Sequence, residues 1–133
     1  MKKIEHIGIA VKNIEESNKL FTKIFGVSNY KSEIVESQAV ETSFFRVGNN
    51  KIELLAATNN KSPIYKYLNN NKEGMHHIAF EVKDIYKEMR RISEEGIRLL
   101  NIEPKIGADN KLICFLHPKD TNGVLIELCQ KKD

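Results

Sequence analysis

His6-Ile7-Gly8-Ile9-Ala10-Val11 and His77-Ile78-Ala79-Phe80-Glu81-Val82 read as two copies of one strand. Each copy runs on through Lys, then Asn or Asp, then Ile (Lys12-Asn13-Ile14 and Lys83-Asp84-Ile85), which is how a side-chain-capped helix begins. Further out, Ile52-Glu53-Leu54 echoes Ile126-Glu127-Leu128. A chain that repeats itself and places one histidine and one glutamate in each copy has the parts of a symmetric metal site.

The rest of each half falls into the same order. After the strand at 4–11, Asn13 caps a helix with Glu16 as its partner three residues on, and Ile14, Leu20, Phe21, Ile24 and Phe25 recur at helical spacing until Gly26. Strand patterns follow near 30–36, 39–47 and 51–57, with Gly48-Asn49-Asn50 as a hairpin turn. The second half offers a strand at 76–82 and a helix carrying Ile85, Met89 and Ile92 and ended by Gly96. Its further strands lie near 97–101, 111–117 and 123–129. Each half therefore reads βαβββ, with modules at about 1–58 and 75–133. The Asn- and Lys-rich stretch 59–74, with a short helical piece at 63–68, links them.

A half of this size buries only a marginal core, so the two sheets are expected to join edge to edge. The expected fold is α+β, a single domain over 1–133: an eight-stranded curved mixed sheet with helices on one face and an open face on the other. A plain ferredoxin-like βαββαβ order fits less well.

Strand alternation says where the repeated polar residues point. Ile7, Ile9 and Val11 share one side, so His6 lies on the other; Ile78, Phe80 and Val82 do the same for His77. Glu53 and Glu127 each sit between two aliphatic residues and so face away from the helix side as well. Gly8 and Ala79 leave room beside the two histidines. One His or Glu on an open sheet face is usually only solvated, but four at repeated positions are a poor coincidence. Two imidazoles and two carboxylates suit a six-coordinate divalent ion such as Co, Ni, Mn or Fe. Zn usually takes fewer protein ligands in a catalytic site. His76 reads as a packing or supporting residue, His117 as part of a turn or rim, and Lys105, Lys111 and Lys119 as solvated charge.

The bulk numbers exclude some classes. A net charge of +3 over 133 residues is too mild for a nucleic-acid binder, though compatible with an anionic small molecule. The apolar runs are strand-sized, which argues against a membrane span. Met1-Lys2-Lys3 leads straight into a strand pattern with no apolar leader, so a cytoplasmic location is expected. Cys114 and Cys129 sit among Ile, Phe and Leu and read as buried reduced thiols.

These features resemble the vicinal oxygen chelate (glyoxalase/bleomycin resistance/dioxygenase) superfamily, and within it the methylmalonyl-CoA epimerases. The resemblance covers essentially the whole chain. It runs through the opening motif, Gly48 to Leu55, Ser62-Pro63-Ile64, Gly74 to Val82 and Glu103-Pro104-Lys105-Ile106-Gly107, and then through Phe115-Leu116-His117-Pro118-Lys119-Asp120 and Gly123 to Leu128. The opening motif is generic to the superfamily; the segments around Lys105 and His117 are more specific to the epimerases.

The resemblance implies an isomerase that inverts C2 of methylmalonyl-CoA, with one divalent ion (Co, Ni, Mn or Zn) held by His6, Glu53, His77 and Glu127, and a homodimer as the assembly. Glu127 is then also a candidate for proton transfer. Some epimerases carry a catalytic carboxylate on the strand that here spans 39–47. An ungapped comparison puts Thr42 there, with Glu41 next to it and on the other face, so Glu41 serves only if a one-residue bulge shifts the register. The alternatives are a glyoxalase I-like isomerase and a non-enzymatic drug-sequestering protein of the same fold. Neither nucleic acid nor membrane is an expected partner.

Overall fold

Period-two alternation and well-placed caps give eight strands and three α-helices among the described residues. The computed structural model describes residues 1–132. The order is β1 (Lys3–Ala10), α1 (Ile14–Phe25), β2 (Lys31–Val35), β3 (Val40–Val47), β4 (Asn50–Ala57), α2 (Pro63–Asn70), β5 (Gly74–Glu81), α3 (Ile85–Glu94), β6 (Lys105–Gly107), β7 (Lys111–Phe115) and β8 (Ile126–Lys131). The fold is α+β, with parallel and antiparallel pairing both present.

The chain divides into two units, and the division falls inside β1. The amino-terminal unit is Ile7–His76; the carboxyl-terminal unit takes Met1–His6 together with the chain from His77 onward.

In the amino-terminal unit the strands follow the order β2-β3-β4-β1. The Asn13 side chain accepts a hydrogen bond from the Glu16 backbone N at 3.0 Å, which starts α1, and Gly26 ends it in the left-handed region at φ 74°. Asn13→Ala is expected to cost about 1 kcal/mol, read as a lower urea midpoint at unchanged slope. Phe21 and Phe25 of α1 pack with Ile9, Val11, Phe45, Leu54 and Ala56. Leu55 is the neighbour of Leu54 and must point the other way; it packs with Ala10, Val40 and the α2 residues Ile64, Tyr67 and Leu68. The helix-covered face expected from the sequence thus describes α1, while the short α2 sits on the opposite face.

In the carboxyl-terminal unit the order is β1-β5-β8-β7-β6, with β5 and β8 parallel. Asp84 caps α3 by accepting from the Lys87 backbone N at 3.1 Å. Ile85, Met89 and Ile92 bury against Val82, Cys114, Leu116 and Leu128. The other face of these strands carries Ala79, Ile113 and Cys129, with Phe115 packed against them. Cys114 and Cys129 are buried and unbridged, and burial pushes the Cys114 thiol up to about 11, so it stays protonated.

One expected strand is misplaced. The second strand of the second half forms at Lys105–Gly107, and 97–101 makes only an isolated bridge between Leu99 and Leu116. Two backbone bonds make that bridge, Leu100 N to Phe115 O and His117 N to Arg98 O, both 2.8 Å, and side chains stop it from growing. Asn101 accepts from the Phe115 backbone N at 3.1 Å and donates to the Glu103 carbonyl at 2.7 Å, while Arg98 pairs with both carboxylate oxygens of Asp120 at 2.9 Å. Among the described residues no helix is long and apolar enough to cross a membrane.

Candidate metal centre

Three of the four repeated polar residues converge within the carboxyl-terminal unit. His6 comes from β1, His77 from β5 and Glu127 from β8, and all are nearly sealed from solvent at 5, 6 and 5% exposure. The parallel register sets Ala79 opposite Glu127, and alternation puts His77 and Glu127 on the face away from α3. The His6 and His77 Nε2 atoms are 3.0 Å apart. Glu127 lies beside both, its Oε1 at 3.3 Å from His77 Nε2 and its Oε2 at 3.8 Å from His6 Nε2.

These separations fit a metal ion. Ligand bonds of about 2.1 Å place neighbouring donors of a six-coordinate ion about 3 Å apart. The donor chemistry fits as well, because imidazole nitrogens and a carboxylate suit a first-row divalent cation. The His77 ring is braced edge-on by Phe115, with centroids 5.8 Å apart at 89°.

Glu53, the fourth repeated residue, lies in the amino-terminal unit. It is buried on β4 and paired with Phe44 across the β3 ladder, on the face away from α1. Glu41 is placed differently. The β3–β4 ladder runs without a bulge from Val40 opposite Ala57 to Val47 opposite Asn50, so Glu41 faces Ala56 on the α1 side. The register shift that would have turned Glu41 toward the Glu53 face does not occur; Thr42, buried opposite Leu55, holds that position.

The other histidines have local work. His76 stacks edge-on against Tyr67 at 4.8 Å, and burial lowers its pKa to about 4, so the ring is neutral near pH 7. His117 caps the turn at Pro118–Asp120, its Nδ1 accepting from the Lys119 backbone N at 3.2 Å. Lys105 and Lys119 are exposed as expected, but Lys111 is buried at 7%. Two residues that the sequence reading did not place at the site stand there: Glu5, whose Oε1 is 2.8 Å from His6 Nδ1, and Lys111, read as solvated charge, whose Nζ is 2.5 Å from that same oxygen. Glu5 is adjacent to His6 in sequence, a signal that could have raised it. Lys111 had none.

Residues 5–115 match the Glyoxalase/Bleomycin resistance protein/Dioxygenase superfamily. The uncharacterized protein YqjC of Bacillus subtilis is 36% identical over 132 residues, covering 99% of this chain and 94% of that one. The mitochondrial methylmalonyl-CoA epimerase of Dictyostelium discoideum is 41% identical over 130 residues, covering 97% and 78%. A solved methylmalonyl-CoA epimerase in complex with methylmalonyl-CoA and NH4+ superimposes with a TM-score of 0.93 at 34% identity, covering 98% of this chain and 95% of that one. The chain belongs to the glyoxalase/bleomycin resistance/dioxygenase superfamily, among relatives named for an isomerase activity.

Proposed function

We propose that this chain is a methylmalonyl-CoA epimerase, interconverting the (S) and (R) forms with one divalent ion held by His6, Glu53, His77 and Glu127. The observation that carries the reading is the sealed cluster of His6, His77 and Glu127, found in a chain that resembles epimerases along its whole length. Glu53 joins the set through the sequence repeat and its burial.

When bound, the ion supplies positive charge beside the oxygen on which charge builds as C2 loses its proton. The chain does the rest. His6, His77 and Glu127 are rigidly placed on three strands, and they hold their donors in position before substrate arrives. Their burial keeps water away, which strengthens every charge interaction at the site. Glu127 takes the C2 proton at a carboxylate oxygen, and inversion requires that a proton return on the opposite face of C2.

Purified protein supplied in turn with Co, Ni, Mn and Zn salts, and assayed for conversion of (S)- to (R)-methylmalonyl-CoA, tests the reading. No turnover with any of these ions refutes it. Metal analysis of the freshly purified protein shows which ion it carries.

Losing a proton-transfer group typically costs 10²–10⁴-fold in rate, whereas Glu41→Gln is expected to change turnover by less than about twofold, since Glu41 faces α1. A drop of a hundredfold in that variant would place Glu41 in the catalytic set.

A further inference from the structure

We infer that Glu5 and Lys111 form a positioning pair that sets the tautomer of His6, leaving the lone pair of Nε2 free to face His77 and Glu127. The inference rests on the proposed role of His6 as a ligand for its purpose, but its physical content concerns the protein alone.

Lys111 opens β7 on the same strand face as Ile113, and its ammonium is buried. A buried ammonium is strongly unfavourable unless a counter-charge and hydrogen bonds compensate it. Glu5 supplies that compensation at 2.5 Å, and an Asp109 carboxylate oxygen lies further off at 3.9 Å. The same Glu5 oxygen, Oε1, sits 2.8 Å from His6 Nδ1. A carboxylate only accepts hydrogen bonds, so the proton of the neutral imidazole must be on Nδ1. The other nitrogen is then bare, and it is the one that lies 3.0 Å from His77 Nε2 and 3.8 Å from Glu127 Oε2.

Lys111 contributes by aiming Glu5 and supplying its counter-charge. Its ammonium donates from one direction while Nδ1–H donates from another, so a single oxygen is held between two donors. A carboxylate behind a histidine is how metal-ligating imidazoles are commonly oriented, and losing such a partner typically weakens metal affinity 10–100-fold. Here a residue from β7, far from His6 in sequence, anchors the carboxylate.

The test uses two readouts on the full chain. Long-range ¹H–¹⁵N correlation on metal-free, ¹⁵N-labelled protein reports which His6 nitrogen carries the proton, above the pH at which imidazoles titrate. Titration with Co²⁺, followed by visible absorption, reports affinity. In the wild type His6 should be the Nδ1–H tautomer. Glu5→Ala should move the proton largely to Nε2 and weaken Co²⁺ binding about 10–100-fold. Glu5→Gln, which keeps an oxygen acceptor, should restore Nδ1–H as the majority form and recover most of the affinity. Lys111→Met should weaken Co²⁺ binding by a smaller factor while Nδ1–H persists.

Should Glu5→Ala fail to fold with its lysine stranded, the double variant Glu5→Ala/Lys111→Met removes that charge and is judged by the same two readouts. Persistence of Nδ1–H without Glu5, or Co²⁺ affinity unchanged in that variant, overturns the inference. A wild type that binds no Co²⁺ counts against the metal reading instead, and the tautomer measurement still decides this one.

Discussion

His77→Ala should leave a folded protein that neither retains a divalent ion through dialysis nor epimerises methylmalonyl-CoA. The His77 ring stands between the other two donors of its unit, 3.0 Å from His6 Nε2 and 3.3 Å from Glu127 Oε1. Removing it deletes one nitrogen donor and leaves a hydrophobic gap beside Phe115, which packs edge-on against the ring. His6 and Glu127 then remain in the unit as a two-donor fragment. Removing a single preorganised stabilising group from an active site costs about 10²–10³ in rate, and loss of the ion that the group holds should cost at least the upper end of that range. Circular dichroism of wild-type shape, metal content near zero and turnover down by about 10³-fold or more are the expected results. Full activity in this variant would refute the ligand assignment.

Phe45→Ala should cost about 3–5 kcal/mol of folding stability, the range seen when a buried aromatic is truncated to alanine. Phe45 is fully buried on β3, and its ring packs edge-on against Phe25 of α1 with centroids 5.5 Å apart. Leu54, Ala56 and Val11 close around it. The truncation therefore opens a void at the contact that holds α1 to its strands, where nothing flexible stands ready to refill it. Since domains of this kind are stable by only about 5–15 kcal/mol in total, the loss is a large fraction. Urea unfolding followed by circular dichroism measures it. A loss below about 1.5 kcal/mol would mean that α1 does not depend on this contact. Far smaller effects are expected at exposed pairs such as Arg98 and Asp120. There the guanidinium holds the carboxyl well below the usual carboxylate range, yet solvent screens most of the benefit. That contribution is present above the ordinary carboxylate pKa and fades as pH falls toward the lowered one.

The legible features were those with a local period. Alternation along β5 and β8 placed His77 and Glu127 on one face, because successive strand residues must point to opposite sides. Caps at Asn13 and Asp84 could be read because a side chain reaching the backbone three residues on is a short-range contact. Where side chains compete with a ladder, the pattern misled. The stretch 97–101 has a strand's hydrophobicity, but its pairing ends at the bonds Leu100 N to Phe115 O and His117 N to Arg98 O, because Asp120 takes Arg98 N and the Asn101 side chain takes Phe115 N; the short strand forms at Lys105–Gly107 instead. The face of Glu41 was undecidable from the residues alone, since a one-residue bulge reverses every side chain beyond it; the unbroken β3–β4 register puts it on the α1 side.

The sequence by itself determined the βαβββ repeat, the faces on which His6, His77, Glu53 and Glu127 lie, and the family to which the chain is similar. The repeat and the faces follow from repetition and from spacing along one strand, while the family rests on the likeness of whole motifs along the chain. Tertiary structure alone decided that Lys111 is buried, that it meets Glu5, and that Glu5 in turn faces His6 Nδ1. Those contacts depend on strands remote in sequence arriving at one place. No local period records such a meeting, because packing of strands remote in sequence brings the groups together, and the cost of burying each charge is offset only when the other lies beside it.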